Sequence, residues 1–118
     1  MDFLTIGNIM DAALPRDVVE LPEWGGCVEV RAITMAEMAR AKRQARDPHT
    51  KDIDEIKMMA LIVEAGCVQP EIPPGGHKQF MNKEPGPLTR ISDRILELSG
   101  LAEPDEPEPA EDSKQGEA

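Results

Sequence analysis

The chain has 118 residues, a net charge of −10 and few aromatic side chains: one Trp, two Phe and no Tyr. That length holds one domain at most, and the acidity, with no Lys/Arg cluster beside aromatic residues, argues against a nucleic-acid partner held through phosphates. No apolar run reaches membrane-spanning length and the Asp2 start lacks the basic segment of a signal peptide, so a soluble intracellular protein with no membrane partner is expected.

Residues 1–16 carry an apolar segment from Phe3 to Leu14 that Pro15 closes. Asn8 is expected to cap one or two helical turns over Ile9 to Leu14. Phe3, Leu4 and Ile6 either pack under the next element or form a sticky arm, and packing is the preferred expectation.

From Asp17, Val19 and Leu21 alternate with Val18 and Glu20, and beyond Pro22-Glu23-Trp24-Gly25-Gly26 the residues Val28, Val30 and Ala32 alternate with Glu29 and Arg31. Period two on both sides of a Pro- and Gly-bearing turn predicts an antiparallel β-hairpin over about residues 17–33 with one half-buried face. A lone hairpin is marginal in water, so its apolar face must lie on the helices that follow. Trp24 is expected to pack on that face or on an adjoining helix.

Thr34-Met35-Ala36-Glu37 has the Thr-x-x-Glu form of a capping box, which starts a helix at Met35. This helix is expected to present Met35, Met38, Ala39 and Ala45 as its apolar side, with basic residues gathered toward its C-terminal end, before Asp47-Pro48 ends it. A second helix from Asp52 carries Ile53, Ile56, Ala60 and Val63 in one stripe, and Met58, Met59, Leu61 and Ile62 widen the apolar surface. A helix apolar over more than one face is buried on two sides, which makes it the central helix. Gly66 is expected as its left-handed C-terminal residue.

Residues 67–87 hold five prolines and three of the glycines, which forbids regular structure beyond a turn or two near Lys78 to Asn82. Phe80 and Met81 are this loop's anchors or its bait. Leu88, Ile91, Ile95 and Leu98 then mark a last helix opening at Pro87, and Gly100-Leu101 reads as a Schellman ending. After it, residues 102–118 hold seven acids, three prolines and one lysine, so this tail carries six of the ten net negative charges. With almost nothing apolar, it is expected to be disordered. The fold class expected is mainly α: a small helical domain over residues 1–101 with an N-terminal antiparallel β-hairpin, followed by an acidic tail over 102–118.

Catalytic signals do not converge anywhere along the chain. Cys27 and Cys67 stand outside any CxxC or Cys-His spacing and read as small half-buried hydrophobes. His49 and His77 lie beside Pro or Gly in loops with no ligand-spaced partner, and Gly75-Gly76-His77-Lys78 lacks the frame of a phosphate loop. No catalytic residue, cofactor or metal site is therefore expected, and the chain is read as a non-enzyme.

The order of parts, with LPEWGGCVEVRAIT in the hairpin, TMAEMARAK opening the next helix and ILELSGL closing the last, resembles the small tail assembly chaperones of long-tailed (siphovirus- and myovirus-type) bacteriophages. In that family a (V/L)PEWGG-x-V-x-VR-x-(I/L)T hairpin and a closing L-E-L-(N/S)-G-L helix recur. The resemblance covers roughly residues 9 to 101. It implies a protein that binds the tape-measure protein, keeps it soluble and recruits major tail (tube) protein during morphogenesis. It places the chain in the cytoplasm of the infected bacterial host and outside the mature virion, and some members are also made in a longer frameshifted form.

A long amphipathic client asks for an adaptable apolar groove, and the residues expected to contribute are Met35, Met38, Met59, Phe80 and Met81. Self-association into a homo-oligomer is compatible with this role. Two other readings use the same sequence: an acidic adaptor or inhibitor that sets its tail against a basic protein, and a regulatory subunit of an enzyme.

Overall fold

A computed structural model describes residues 2–101, so the expected acidic tail at 102–118 lies outside the described residues. Among those described, five helices accompany a three-stranded antiparallel sheet of order β1-β2-β3. In chain order they are α1 (Ile6–Asp11), β1 (Arg16–Leu21), β2 (Gly26–Arg31), α2 (Met35–Ala45), α3 (Glu55–Gly66), β3 (Cys67–Gln69), α4 (His77–Phe80) and α5 (Pro85–Leu98). The expected helical domain with a hairpin is met in part, because the hairpin is two strands of a larger sheet.

The hairpin forms where the alternation places it. Val19 pairs with Val28 and Asp17 with Val30, which puts Val19, Leu21, Val28 and Val30 on one face. Val19, Leu21 and Val30 are buried against Ile62 and Val63 of α3 and Leu88, Ile91 and Ile95 of α5, while Val18 on the opposite face is exposed. A single 3-10 turn, Pro22–Trp24, joins the strands and closes with the Gly25 amide donating to the Pro22 carbonyl at 3.1 Å.

Two ion pairs clamp the hairpin to α5. The Arg90 guanidinium reaches both Glu23 carboxylate oxygens at 2.9 and 2.6 Å, and Arg94 Nε donates to Asp17 at 2.7 Å. The Arg90 hydrogen bonds hold the Glu23 carboxyl down at about 2. The partners of Arg90 and Arg94 lie 67 and 77 residues away in the chain.

α3 is the central helix. Ala60, Leu61, Ile62 and Val63 are buried, with Leu61 facing Ala41 and Ala45 of α2 while Ile62 and Val63 join the sheet and α5. Ile56 corrects the expected stripe: it is 55% exposed in the first turn, one residue after the helix start, and lies outside the core. The helix starts at Glu55, later than the expected Asp52, and Asp54 caps it by accepting from the Lys57 amide at 3.1 Å.

Gly66 also departs from expectation. It sits in the last turn of α3 without a positive φ, and its role is close approach: a Cβ there would stand 2.5 Å from Ile95 Cδ1. Gly100 does take the left-handed conformation, at φ 77°. The Leu101 amide donates to the Leu96 carbonyl at 2.7 Å and Gly100 to Glu97 at 3.1 Å, which is the predicted Schellman ending.

The breaker-rich segment is more structured than expected. Cys67–Gln69 forms β3, which pairs with β2 through Val30↔Cys67 and Glu29↔Gln69 across a bulge. α4 follows at the place where a short turn was expected, and α5 begins at Pro85, two residues earlier than predicted. His77 is 8% exposed rather than a surface loop residue. Its backbone amide donates to Glu64 Oε1 at 2.9 Å and its Nδ1 lies 2.7 Å from the same oxygen. Burial raises the Glu64 carboxyl most, but the His77 amide, ring and charge together with the Gly75 amide outweigh it and leave the group below its ordinary value.

The N-terminal segment corrects two expectations. Thr5, not Asn8, caps α1, and Asn8 completes the capping box by accepting from the Thr5 amide at 3.1 Å. No residue of α1 is buried, and Phe3, Leu4, Ile6, Ile9 and Met10 are all exposed, so the segment does not pack under the hairpin.

Candidate functional site

α2 is positioned by its own first turn. Thr34 Oγ1 accepts from the Glu37 amide at 3.1 Å while Glu37 Oε1 accepts from the Thr34 amide at 2.8 Å, the capping box the sequence predicts. Arg31, at the end of β2, adds a two-pronged pair to Glu37 at 3.0 and 2.8 Å, and its hydrogen bonds are the main reason the Glu37 carboxyl sits below its usual range. The Ile33 amide donates to Ser99 Oγ at 2.9 Å, and that hydroxyl donates to the Ile95 carbonyl at 2.7 Å. The start of α2 and the end of α5 are thereby fixed side by side.

Between them opens an apolar cleft of about 350 Å³. Ile33, Met35, Met38, Ala39 and Leu101 form most of its lining, with Lys42 on its rim. The side of α2 that enters the core is not the methionine side expected: Ala41 and Ala45 are buried against Leu61, while Met35 is 91% exposed. Small alanines let α2 lie close to α3, which leaves the longer methionines to the surface. Met38 bridges the two, half-buried against the core and lining the cleft.

A second apolar cleft of about 60 Å³ lies against the first half of α3, with Ile56, Met59, Phe80, Met81 and Leu88 among its lining residues. The structure therefore divides the five sequence candidates into two groups. Met35 and Met38 share the α2 cleft, while Met59, Phe80 and Met81 meet in the α3–α4–α5 cleft. Phe80 is half-buried against the core and Met81 is exposed, so the first anchors the segment and the second lies open.

Sequence reasoning missed Ile33, Leu101 and Ile56 as lining residues, although two of them carried a local signal. Ile33 precedes the Thr34 cap and Met38 is four residues into the helix, the two positions of a hydrophobic staple. Leu101 is the residue whose apolar contact accompanies a Schellman ending. Nothing local singles out Ile56.

Trp24 is more open than expected, at 36% exposure, and Lys83 Nζ lies 5.5 Å from its ring centroid. The neighbouring Glu84 carboxyl is held below its ordinary value by its own backbone amide and then by the Trp24 indole. The hairpin tip is thus tied to the segment that leads into α5.

Reactive groups are dispersed. Burial pushes the Cys67 thiol up to about 11, which keeps it protonated and poorly nucleophilic, and Cys27 stands exposed on β2. No group of three or more His, Cys, Asp or Glu among the described residues could hold a metal ion. No helix among them is long and apolar enough to cross a membrane.

Fold and clefts together define a small α+β domain with two separate apolar clefts, one between the start of α2 and the end of α5 and one among α3, α4 and α5. Comparison with protein-family models, curated proteins and solved structures finds no match to the chain.

Proposed function

We propose that this chain is a tail assembly chaperone of a long-tailed bacteriophage. In this reading it is a non-enzymatic protein of the infected bacterial cytoplasm, left out of the mature virion. It binds the tape-measure protein, keeps it soluble and brings major tail protein to it. The observation that carries the reading is the methionine-lined cleft between the start of α2 and the end of α5, where Met35 is 91% exposed and Met38, half-buried against the core, also lines the cleft. Unbranched, polarisable methionines adapt to varied apolar partners, as a chaperone for a long amphipathic helix requires. The hairpin and closing-helix motifs of the sequence support the same reading.

Met59, Phe80 and Met81 supply a second apolar contact in this scheme. Binding through apolar surface is expected to change little with ionic strength, because salt screens charges and leaves hydrophobic burial nearly intact. Co-expression provides the test. A tape-measure protein that is insoluble alone should be recovered in solution with this chain, including a form that ends at Leu101, and Met35→Asp should reduce the recovery. A client that stays insoluble, or one recovered only when residues 102–118 are present, would overturn the reading in favour of an acidic adaptor.

A further inference from the structure

The least explained part of the described chain is its N-terminal arm. Phe3, Leu4, Ile6, Ile9, Met10 and Leu14 are all exposed, Phe3 by 94%. Ile6, Ile9 and Met10 stand at i, i+3 and i+4, so α1 gathers them on one face. A helix of six residues is marginal in water without tertiary support. An apolar stripe on so short a helix calls for a surface to lie against.

The arm leaves the domain next to such a surface. The Ala32 amide donates to the Pro15 carbonyl at 2.9 Å, which fixes the root of the arm beside Ile33, the first lining residue of the α2 cleft. From that root the chain runs outward: Ala12 is extended, at φ −63° and ψ 130°, and α1 lies beyond it without burying a residue on its own domain.

Charge also matches arm to cleft. The arm carries Asp2 and Asp11 and no basic residue before Arg16, while Lys42 is the one charged side chain among the described residues that line the cleft.

We propose that the arm of one copy docks its Ile6–Ile9–Met10 face in the α2 cleft of a second copy, and that the second copy returns the contact, giving a closed two-fold dimer by arm exchange. A reciprocal contact of this kind uses the same two surfaces twice and closes on itself. Ile6, Ile9 and Met10 are 76%, 52% and 75% exposed, and a reciprocal contact covers this face on both copies at once. The arm occupies the cleft that the chaperone reading gives to the client, so the two contacts compete; oligomeric state of the chain alone tests the dimer, and client recovery by the Met10→Asp chain, whose cleft is intact, tests the chaperone reading.

The experiment is sedimentation velocity of the full chain over a range of concentrations. The expected result is a monomer–dimer equilibrium whose mass rises from 13.0 kDa toward twice that value. Met10→Asp in the arm and Met35→Asp in the cleft each alter an exposed side chain, so both variants should match the wild-type thermal midpoint at concentrations where the wild type is monomeric. Each should weaken dimerisation at least tenfold.

Mixing the two variants separates exchange from a general loss of stickiness. The Met35→Asp chain still has an intact arm and the Met10→Asp chain an intact cleft, so the mixture should form a heterodimer through one good contact. Because a contact already opened by one Asp loses little more to a second, that heterodimer, with one intact contact, should be tighter than either variant's homodimer, which has none. A wild-type chain that remains monomeric at millimolar concentration, including one whose arm folds onto its own cleft, would overturn the proposal. So would a dimer that neither substitution weakens, or a mixture no tighter than its components.

Discussion

Replacing Gly66 with Ala tests the seam on which the domain depends. The new methyl would stand 2.5 Å from Ile95 Cδ1, 2.8 Å from Cγ1 and 2.9 Å from Cγ2, whereas carbon pairs sit comfortably at about 3.5–4.0 Å. Ile95 cannot simply turn away, since it is 0% exposed and β-branched, with its χ1 held by the helix. Overpacking of this kind costs about 1–3 kcal/mol. The gain in helix propensity from Gly to Ala is at most about 1 kcal/mol, and less in a last turn. A net loss of about 1–2 kcal/mol corresponds to a fall of roughly 5–15 °C in the thermal midpoint of a domain this size. Far-UV circular dichroism of the full chain reads it directly. Ile95→Ala alone should cost about 2–5 kcal/mol, yet in the double variant the methyl introduced by Gly66→Ala would occupy part of the vacated space. The two substitutions should therefore be sub-additive, with a coupling of about 0.5–3 kcal/mol. A Gly66→Ala protein that melts at or above the wild-type temperature, or strict additivity of the pair, would refute this account of the α3–α5 contact.

Val63, 1% exposed, and Ile56 should respond in opposite ways to aspartate. Val63→Asp buries an unpaired carboxylate at a cost of several kcal/mol and should abolish the cooperative melt, whereas Ile56→Asp places a negative charge in an exposed first turn near the positive helix end and should melt at or above wild type. Glu64 titrates below its ordinary 4.5 in the folded protein, so its contribution to stability is complete above that pH and is lost as pH falls through the lower folded value. Thermal midpoints measured from neutral pH down to acid should therefore fall less steeply for Glu64→Gln than for wild type, and parallel curves would remove Glu64 from the acid response.

What could be read from residues alone was whatever is local. The hairpin followed from alternation across a single turn, the start of α2 from four residues that cap each other, and the end of α5 from Gly100 and Leu101. The misreadings share a cause, which is that a distant partner decided the outcome. Apolarity ranks Met35 above Ala41, but the closeness of Leu61 selected the smaller residue for the core. β3 is three residues long, too short for any period, and exists because β2 presents an edge to it. His77 looked like a loop residue until α3 brought Glu64 to its amide and ring. Phe3, Leu4 and Ile6 mark the opposite failure, since apolar composition predicted packing and no surface of the same domain received them.

The two clefts differ in how firmly their walls are held, and this bears on which part of the surface can adapt. The α2 cleft is framed by the Thr34–Glu37 capping box, the Arg31–Glu37 pair and the Ile33–Ser99–Ile95 relay. Its frame is fixed while its lining is soft, because Met35 and Met38 can change rotamer without disturbing any of those bonds. The other cleft takes one wall from α4, a helix of four residues whose N-terminal end is held by a single carboxylate, Glu64. Protonating Glu64 weakens that hold and touches none of the bonds that frame the α2 cleft. Adaptability in the first cleft thus belongs to side chains and in the second to backbone. A partner that depends on Phe80 and Met81 should accordingly lose affinity on removal of the Glu64 carboxylate, and as pH falls through the folded Glu64 value below 4.5. One seated on Met35 and Met38 should be indifferent to Glu64→Gln, and equal losses at both clefts in a binding titration of that variant would refute the separation.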